Sequence, residues 1–224
     1  MIRASRVRLN GAIRRDPETP VHLGRDRIEV DGQPVAESTR VYLILNKPRG
    51  IVTTAADEKG RETVYSLLSG EMAWIAPVGR LDKASEGLLL LTNDSEWAAK
   101  ITSPETHLEK TYHVQIGAVA KDALLQSLVK GLRSDGEFLG VKRASILRQG
   151  ERNSWLEIVL DEGKNRHIRR MLEGLGVEVL RLVRVAIGSL GLGELGKGAS
   201  RALTAGEKTS LDTAMNAAPK RQAR

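Results

Sequence analysis

Gly79-Arg80-Leu81-Asp82 lies between two apolar runs, Trp74-Ile75-Ala76-Pro77-Val78 and Gly87-Leu88-Leu89-Leu90-Leu91-Thr92. Both runs read as buried strands, which puts an arginine and a carboxylate on a glycine-punctuated loop between them, where a rigid scaffold can present reactive groups. A carboxylate in a partly dry cleft drifts toward its neutral form, and an adjacent guanidinium keeps it ionised and therefore nucleophilic. Taken alone, Asp82 could equally close a turn or cap Lys83-Ala84-Ser85-Glu86. Candidate guanidinium partners lie further on: between Lys164 and Arg184 there are six Lys or Arg against two Glu. Arg166, Arg169 and Arg170 fall there within about one helical turn. Such crowding fits a phosphate contact or an internal carboxylate, both matched by the planar guanidinium fork, or else a solvated basic face.

Other chemistries find little support. The four histidines, His22, His107, His113 and His167, have no metal-ligand spacing, and there is no Cys. A thiolate nucleophile, a disulfide scaffold and Cys-ligated metal are thereby excluded, and no metal or cofactor is called for. Gly188-Ser189-Leu190-Gly191-Leu192-Gly193 is expected to be a turn and not a phosphate loop. With 41% apolar residues in 224, one medium domain with an appendage is expected. A net charge of +7 and a pI near 9.8 make nucleic acid the first partner to consider, mild basicity without a specific cause being the alternative. One Phe and three Tyr are too few for an aromatic base-stacking platform. No apolar run reaches membrane length and Met1–Arg6 begins no signal peptide, so a cytoplasmic protein is expected, with monomer the default.

The elements that must hold these residues follow from periodicity. Val7-Arg8-Leu9-Asn10-Gly11 and Ile28-Glu29-Val30-Asp31-Gly32 alternate and end in hairpin dipeptides, which predicts a small β unit over 1–39. Val41–Asn46 reads as a buried strand that opens the main domain, closed by Lys47-Pro48-Arg49-Gly50. Asp94–Ile101 is expected to be helical, with Asn93 or Asp94 as its cap. Lys110–Ile116 alternates as a half-buried strand with Tyr112, Val114 and Ile116 on one face, so Tyr112 could simply be core. Lys121–Lys130 has helical spacing, while Trp155–Leu160 and Glu178–Ile187 read as strands. Ile168, Met171, Leu172 and Leu175 make one helical stripe, with Asn165 as the expected N-cap. Residues 40–207 thus form the main domain and 208–224 a basic mobile tail.

Three segments go beyond generic pattern. They are Leu45-Asn46-Lys47-Pro48-Arg49-Gly50; Val78–Lys83 with Ser85–Leu89 and Leu91–Asp94; and Glu162–Met171. In order and in residue type they resemble the RsuA-type family of ribosomal RNA pseudouridine synthases, from about Val41 to Glu207, with Glu109-Lys110-Thr111-Tyr112 in place of that family's Lys-x-Tyr strand. The resemblance implies an α+β fold around a largely antiparallel mixed sheet, and an enzyme that isomerises a uridine of rRNA to pseudouridine without cofactor or metal. It makes Asp82 the catalytic aspartate, Arg169 its ion-pairing arginine and Tyr112 the tyrosine against the target base. Arg80 becomes the residue that holds or replaces the flipped nucleotide, and Lys47, Lys164, Arg166 and Arg170 become candidate RNA contacts. Lys47 could equally be a contact within the catalytic cleft, with an ordinary surface lysine as the alternative.

Two departures stand out. His167 occupies the place of the family's usual Gln before Ile-Arg, and Val7–Val35 matches only the second, hairpin half of the RNA-binding module that often precedes this domain. The module's opening helices are not evident, so either a longer native product or a reduced module is expected. The stretch Trp97, Ile101–Pro104 and Glu109–Tyr112 leans weakly toward a small-subunit substrate. Competing functions are a non-catalytic RNA-binding assembly factor on the same fold, and a nucleoside hydrolase with Glu86 as second carboxylate.

Overall fold

In the computed structural model, residues 1–22, 25–35, 39–54, 57, 59–68 and 74–217 are described, and the chain divides into two compact units, Met1–Thr39 and Arg40–Arg224. The first unit holds β1 (Val7–Leu9), β2 (Ala12–Arg14), β3 (Ile28–Val30) and β4 (Gln33–Pro34), ordered β2-β1-β3-β4 in one antiparallel sheet. At its two tight turns Asn10, Gly11, Asp31 and Gly32 all have positive φ, between 52° and 82°. That is the conformation a two-residue type I′ hairpin demands, and the reason these dipeptides are legible in the sequence.

The second unit is α+β. Its elements are β5 (Tyr42–Lys47), β6 (Ala76–Val78), β7 (Glu86–Thr92), α1 (Ser95–Thr102), β8 (Lys110–Ile116) and α2 (Asp122–Lys130). They continue with β9 (Leu132–Ser134), β10 (Glu137–Leu139), β11 (Arg143–Gln149), β12 (Ser154–Leu160) and α3 (His167–Gly174). Last come β13 (Val179–Ile187), β14 (Leu190–Gly191), β15 (Ser200–Ala202) and α4 (Ala205–Asn216). Among the described residues nine strands form one sheet, ordered β11-β12-β8-β13-β7-β5-β15, with β6 beside β7 and β14 beside β13. Only the β7–β13 contact is parallel. β9 and β10 pair as a separate hairpin.

β7 is the hinge of the architecture. Leu88 and Leu90 pack with Trp97 and Ile101 of α1 and Leu211 and Met215 of α4, while Leu89 and Leu91 pack on the other face with Leu43, Leu45, Val64 and Leu81. All four leucines are fully buried, which is why the strand reads as an unbroken apolar run. A third cluster sets Leu128 of α2 and Ile168, Met171 and Leu172 of α3 against Val114, Ile116, Leu156 and Ile158 of the sheet. Along its length β7 changes partner: Glu86 and Gly87 register with Val183 and Arg184 of β13, whereas Leu90–Thr92 register with β6. A Cβ on Gly87 would lie 2.2 Å from the Arg184 carbonyl oxygen, so this close parallel contact admits only glycine. Where β6 and β13 part from β7, a cleft opens.

Several expectations need correction. The chain from Lys208 is no mobile tail through Asn216, because α4 runs from Ala205 to Asn216. Thr204 and Glu207 form a capping box, and Leu211 and Met215, one turn apart, drop into the core. Ala218–Arg224 lies outside the described residues. Trp74 is 78% exposed, and only Ala76–Val78 of its run pairs as a strand. The expected turn is confined to Gly188-Ser189, and Leu190 and Gly191 fold back from it on β13. The N-cap of α3 is Arg166, at φ 49°, and not Asn165.

Candidate active site

The loop that carries Asp82 leaves β6 through Gly79, whose φ of +71° lies in the left-handed region. It is tied down at several points. Thr53 Oγ1 donates to the Leu81 carbonyl at 2.8 Å, the Lys83 carbonyl accepts from Gly50 N–H at 2.8 Å, and Ser85 N–H returns to the Asp82 carbonyl at 2.9 Å. The strongest tie is Lys47. Its ammonium donates to the carbonyls of Pro48 at 3.1 Å, Asp82 at 3.2 Å and Ser85 at 2.9 Å, and the residue is fully buried at the end of β5. Neither an RNA contact nor a surface lysine describes it: Lys47 spends its three donors on main chain and fixes the Asp82 loop from beneath. Burial pulls its pKa down to about 8, against the opposing pull of Asp82 and Glu86.

Asp82 faces a cleft of about 530 Å³. One wall is Val78–Asp82 with the end of α1, another is Glu162–Ile168, and the floor comes from β8 and β13. On that floor Tyr112 and Arg184 are directly paired across the two antiparallel strands. Directly paired residues share a sheet face, and Lys110, two residues before Tyr112, shares it too. All three line the cleft with Leu182 and Ile187. Tyr112 is thus both things the sequence allowed, half-buried against two core clusters and open to the site.

Helix α3 supplies the arginines. Arg169 is half-buried beside the loop and donates from Nη2 to the Ala84 carbonyl at 3.0 Å. It forms no ion pair within 4.0 Å of Asp82, although the Asp82 charge acts on it, so the expected pair is a proximity and not a contact in this structure. Burial, then the charge of Arg166, pull its pKa down. Arg170 is not available to RNA as expected: it turns away to bind Asp135 at 3.1 Å and Glu137 at 2.7 Å of the β9–β10 hairpin, together with the Ser134 carbonyl. Exposed Arg80 and Arg166 and half-buried Lys164 line the cleft wall, Lys164 also donating to the Phe138 carbonyl at 2.7 Å.

Glu86 does not complete a carboxylate pair with Asp82. It is buried between Arg181, which binds it at 3.0 Å through two nitrogens, and Lys197 at 2.9 Å, and it is absent from the cleft wall. Among the described residues no group of His, Asp and Glu is placed to hold a metal ion, and no helix is long and apolar enough to cross a membrane.

The sequence model of the RNA pseudouridylate synthases matches residues 41–174, which span β5 through α3 and so include Asp82, Tyr112 and Arg169. The chain belongs to this family. The synthase is 36% identical over 213 residues to ribosomal large subunit pseudouridine synthase B of Bacillus subtilis (strain 168), covering 94% of this chain and 87% of that one. It is 38% identical over 200 residues to an uncharacterized RNA pseudouridine synthase of Rickettsia felis, covering 89% and 86%. A crystal structure of a pseudouridylate synthase superposes with a TM-score of 0.69 at 32% identity, over 94% of this chain and 90% of that one. The synthase is an enzyme of RNA modification on the expected α+β fold.

Sequence reasoning missed part of the floor of the synthase. Arg184, 6% exposed, donates from Nε to the Leu88 carbonyl at 2.7 Å and lines the cleft. Lys110 lines it too, half-buried, its pKa drawn down first by burial and then by the Arg184 charge. The available signal was a single basic residue in the inward-facing register of the apolar strand Val179–Ile187.

Proposed function

We propose that the protein isomerises a specific uridine of ribosomal RNA to pseudouridine, with Asp82 as nucleophile and no cofactor. The observation that carries this is the convergence, in one cleft, of Asp82 from the β6–β7 loop and Tyr112 from β8, with Arg169 beside the loop. In this scheme the target uridine leaves the stack at a cost of about a few kcal/mol, supplied by phosphate contacts of Arg80, Lys164 and Arg166 at the cleft wall. The N1–C1′ bond breaks with its electron pair going to the base, while the Asp82 carboxylate bonds to C1′. The freed base turns, C5 forms the new bond to C1′ as Asp82 departs, and the C5 proton is lost with Tyr112 against the base while N1, now free of the sugar, takes up a proton from water. Atoms balance, as an isomerisation requires.

The identity to a large-subunit synthase favours large-subunit rRNA as substrate, against the small-subunit lean of the Trp97–Tyr112 stretch. The enzyme then works as a monomer in the cytoplasm. The test is tritium release from C5 of [5-³H]uridine-labelled rRNA taken from cells that lack the protein. Wild type is expected to release stoichiometric tritium from one site and Asp82→Asn none. Equal release by both would remove Asp82 from the chemistry.

A further inference from the structure

Among the described residues, buried side-chain polar atoms without a hydrogen-bond partner include Ser85 Oγ, Arg169 Nε and Arg184 Nη2. Ser85 and Arg184 line the cleft, and Arg169 stands beside its loop. Unpartnered buried donors are rare in folded proteins, and their gathering at one place points to a ligand that completes them. Arg184 is the sharpest case. Its guanidinium is anchored through Nε on the Leu88 carbonyl, while Nη2 is buried and unpartnered. Lys110 brings a second positive charge to the same face of the sheet, and the two repel.

From this placement we infer that Arg184 and Lys110 hold the carbonyl oxygens of the flipped uracil and stabilise the negative charge it carries once N1–C1′ is broken. The inference rests on the isomerase reading above. Heterolysis leaves uracil as an anion delocalised over N1, O2 and O4, and that anion must persist in the cleft while it turns. Donors already fixed in a water-poor site stabilise such charge far more than water-facing ones do. A base carbonyl suits the pair better than a backbone phosphate, because Arg184 is buried on the cleft floor, whereas Arg80 and Arg166 are exposed on its walls, where the phosphates of an RNA strand stay in water. Tyr112, directly across the strands from Arg184, puts a ring beside the same base. The anionic side chains near this floor are Asp161, which bears on Lys110, Glu162 on the cleft wall, which is paired with Lys164 at 3.2 Å, and Asp82, whose charge is consumed as its bond to C1′ forms.

The experiment compares single-turnover rates of wild type, Arg184→Gln and Lys110→Met. Substrates are transcripts of the rRNA segment bearing the site, made with uridine or with 5-fluorouridine, whose base is a more stable anion. Reaction is followed by tritium release from the first and by covalent adduct formation on the second. Arg184→Gln is expected to slow uridine turnover by about 10²-fold, as loss of one charge-stabilising donor does elsewhere, and Lys110→Met by about tenfold. RNA affinity should stay within about threefold, and the loss should be several-fold smaller on the fluorinated substrate. Lys110→Met carries the test should Arg184→Gln fail to fold. Equal losses on the two substrates would mean a structural role, and weakened RNA binding with unchanged rates a phosphate contact; either overturns the inference. Wild-type inactivity on rRNA from deletion cells would instead refute the isomerase reading, and the inference with it.

Discussion

Arg169 and Arg170 are neighbours on α3 and meet opposite fates. Arg170 is saturated, with two carboxylates and a main-chain carbonyl around its guanidinium, and it fastens the β9–β10 hairpin to the helix. Arg169 faces the Asp82 loop with one carbonyl bond, a buried unpartnered Nε and like charges from Arg166 and Arg49 nearby. The same division runs through the unit. Charges that hold the scaffold are paired, as in Glu86 with Arg181 and Lys197 or Arg201 with Glu207, whereas two buried guanidinium groups at the cleft, those of Arg169 and Arg184, are left short of partners. A protein retains buried, under-partnered donors at a stability cost, and a ligand that arrives later is the physical reason to do so.

Breaking each side of that division should give different readouts. The largest effect belongs to Asp82→Asn, expected to lower turnover by about 10⁴-fold or more while RNA affinity, measured by filter binding, stays near wild type. Next comes the arginine pair. Arg169→Met should cost about 10²-fold in turnover with little loss of thermal stability, whereas Arg170→Met should leave turnover within about threefold and lower stability by about 1–2 kcal/mol in urea unfolding. The reverse pattern would mean that partner count does not separate scaffold from site.

Lys47 sharpens the comparison because it is scaffold at the heart of the site. Lys47→Met leaves the carbonyls of Pro48, Asp82 and Ser85 unbound, so about 2–3 kcal/mol of stability and at least about tenfold in turnover should go together. Its pH dependence has a definite sign. The folded pKa of about 8 lies below that of a free lysine, so between about pH 8 and the ordinary lysine range the unfolded chain binds more protons. The stability advantage of wild type over Lys47→Met should therefore grow as pH rises through that window, and a flat difference would place the titration elsewhere. The smallest effect is at Glu207, whose pKa is pulled down to about 2, first by its bond to Arg201. Glu207→Gln should cost about 1 kcal/mol at neutral pH through the weakened cap of α4, and the difference should fade as pH falls through about 2.

Much of this was legible in the sequence, for reasons that differ by element. The β1–β2 and β3–β4 hairpins, β7, β8 and α2 are written in local patterns: Asn-Gly and Asp-Gly turns, an unbroken leucine run, clean alternation and helical spacing. The β9–β10 hairpin carries the same kind of signal in Asp135-Gly136, at φ 50° and 80°, but its flanks within Lys130–Leu139 are too short and mixed to read as strands. α4 was hidden for another reason: its buried face is only Leu211 and Met215, too little to outweigh polar neighbours until the core they enter is known. At the site, Asp82 stood out by residue type and spacing, whereas Tyr112 stood out only by the family resemblance, its alternation alone being equally that of a core residue. Lys47 was misjudged because a lysine after an apolar run reads as a surface residue unless its carbonyl partners, 35 and 38 positions away, are seen. Arg184 was missed because its importance arises from registering with Tyr112 across strands distant in sequence.

If the cleft forms pseudouridine at a defined place in rRNA through Asp82, as proposed, the modification pattern of cellular rRNA depends on that carboxylate. The direct measurement is a carbodiimide and primer-extension map of rRNA pseudouridines in cells lacking the protein, complemented with wild type or with Asp82→Asn. One site should vanish on deletion, return with wild type and stay absent with Asp82→Asn. Survival of every pseudouridine in the deletion strain, or restoration by Asp82→Asn, would contradict it.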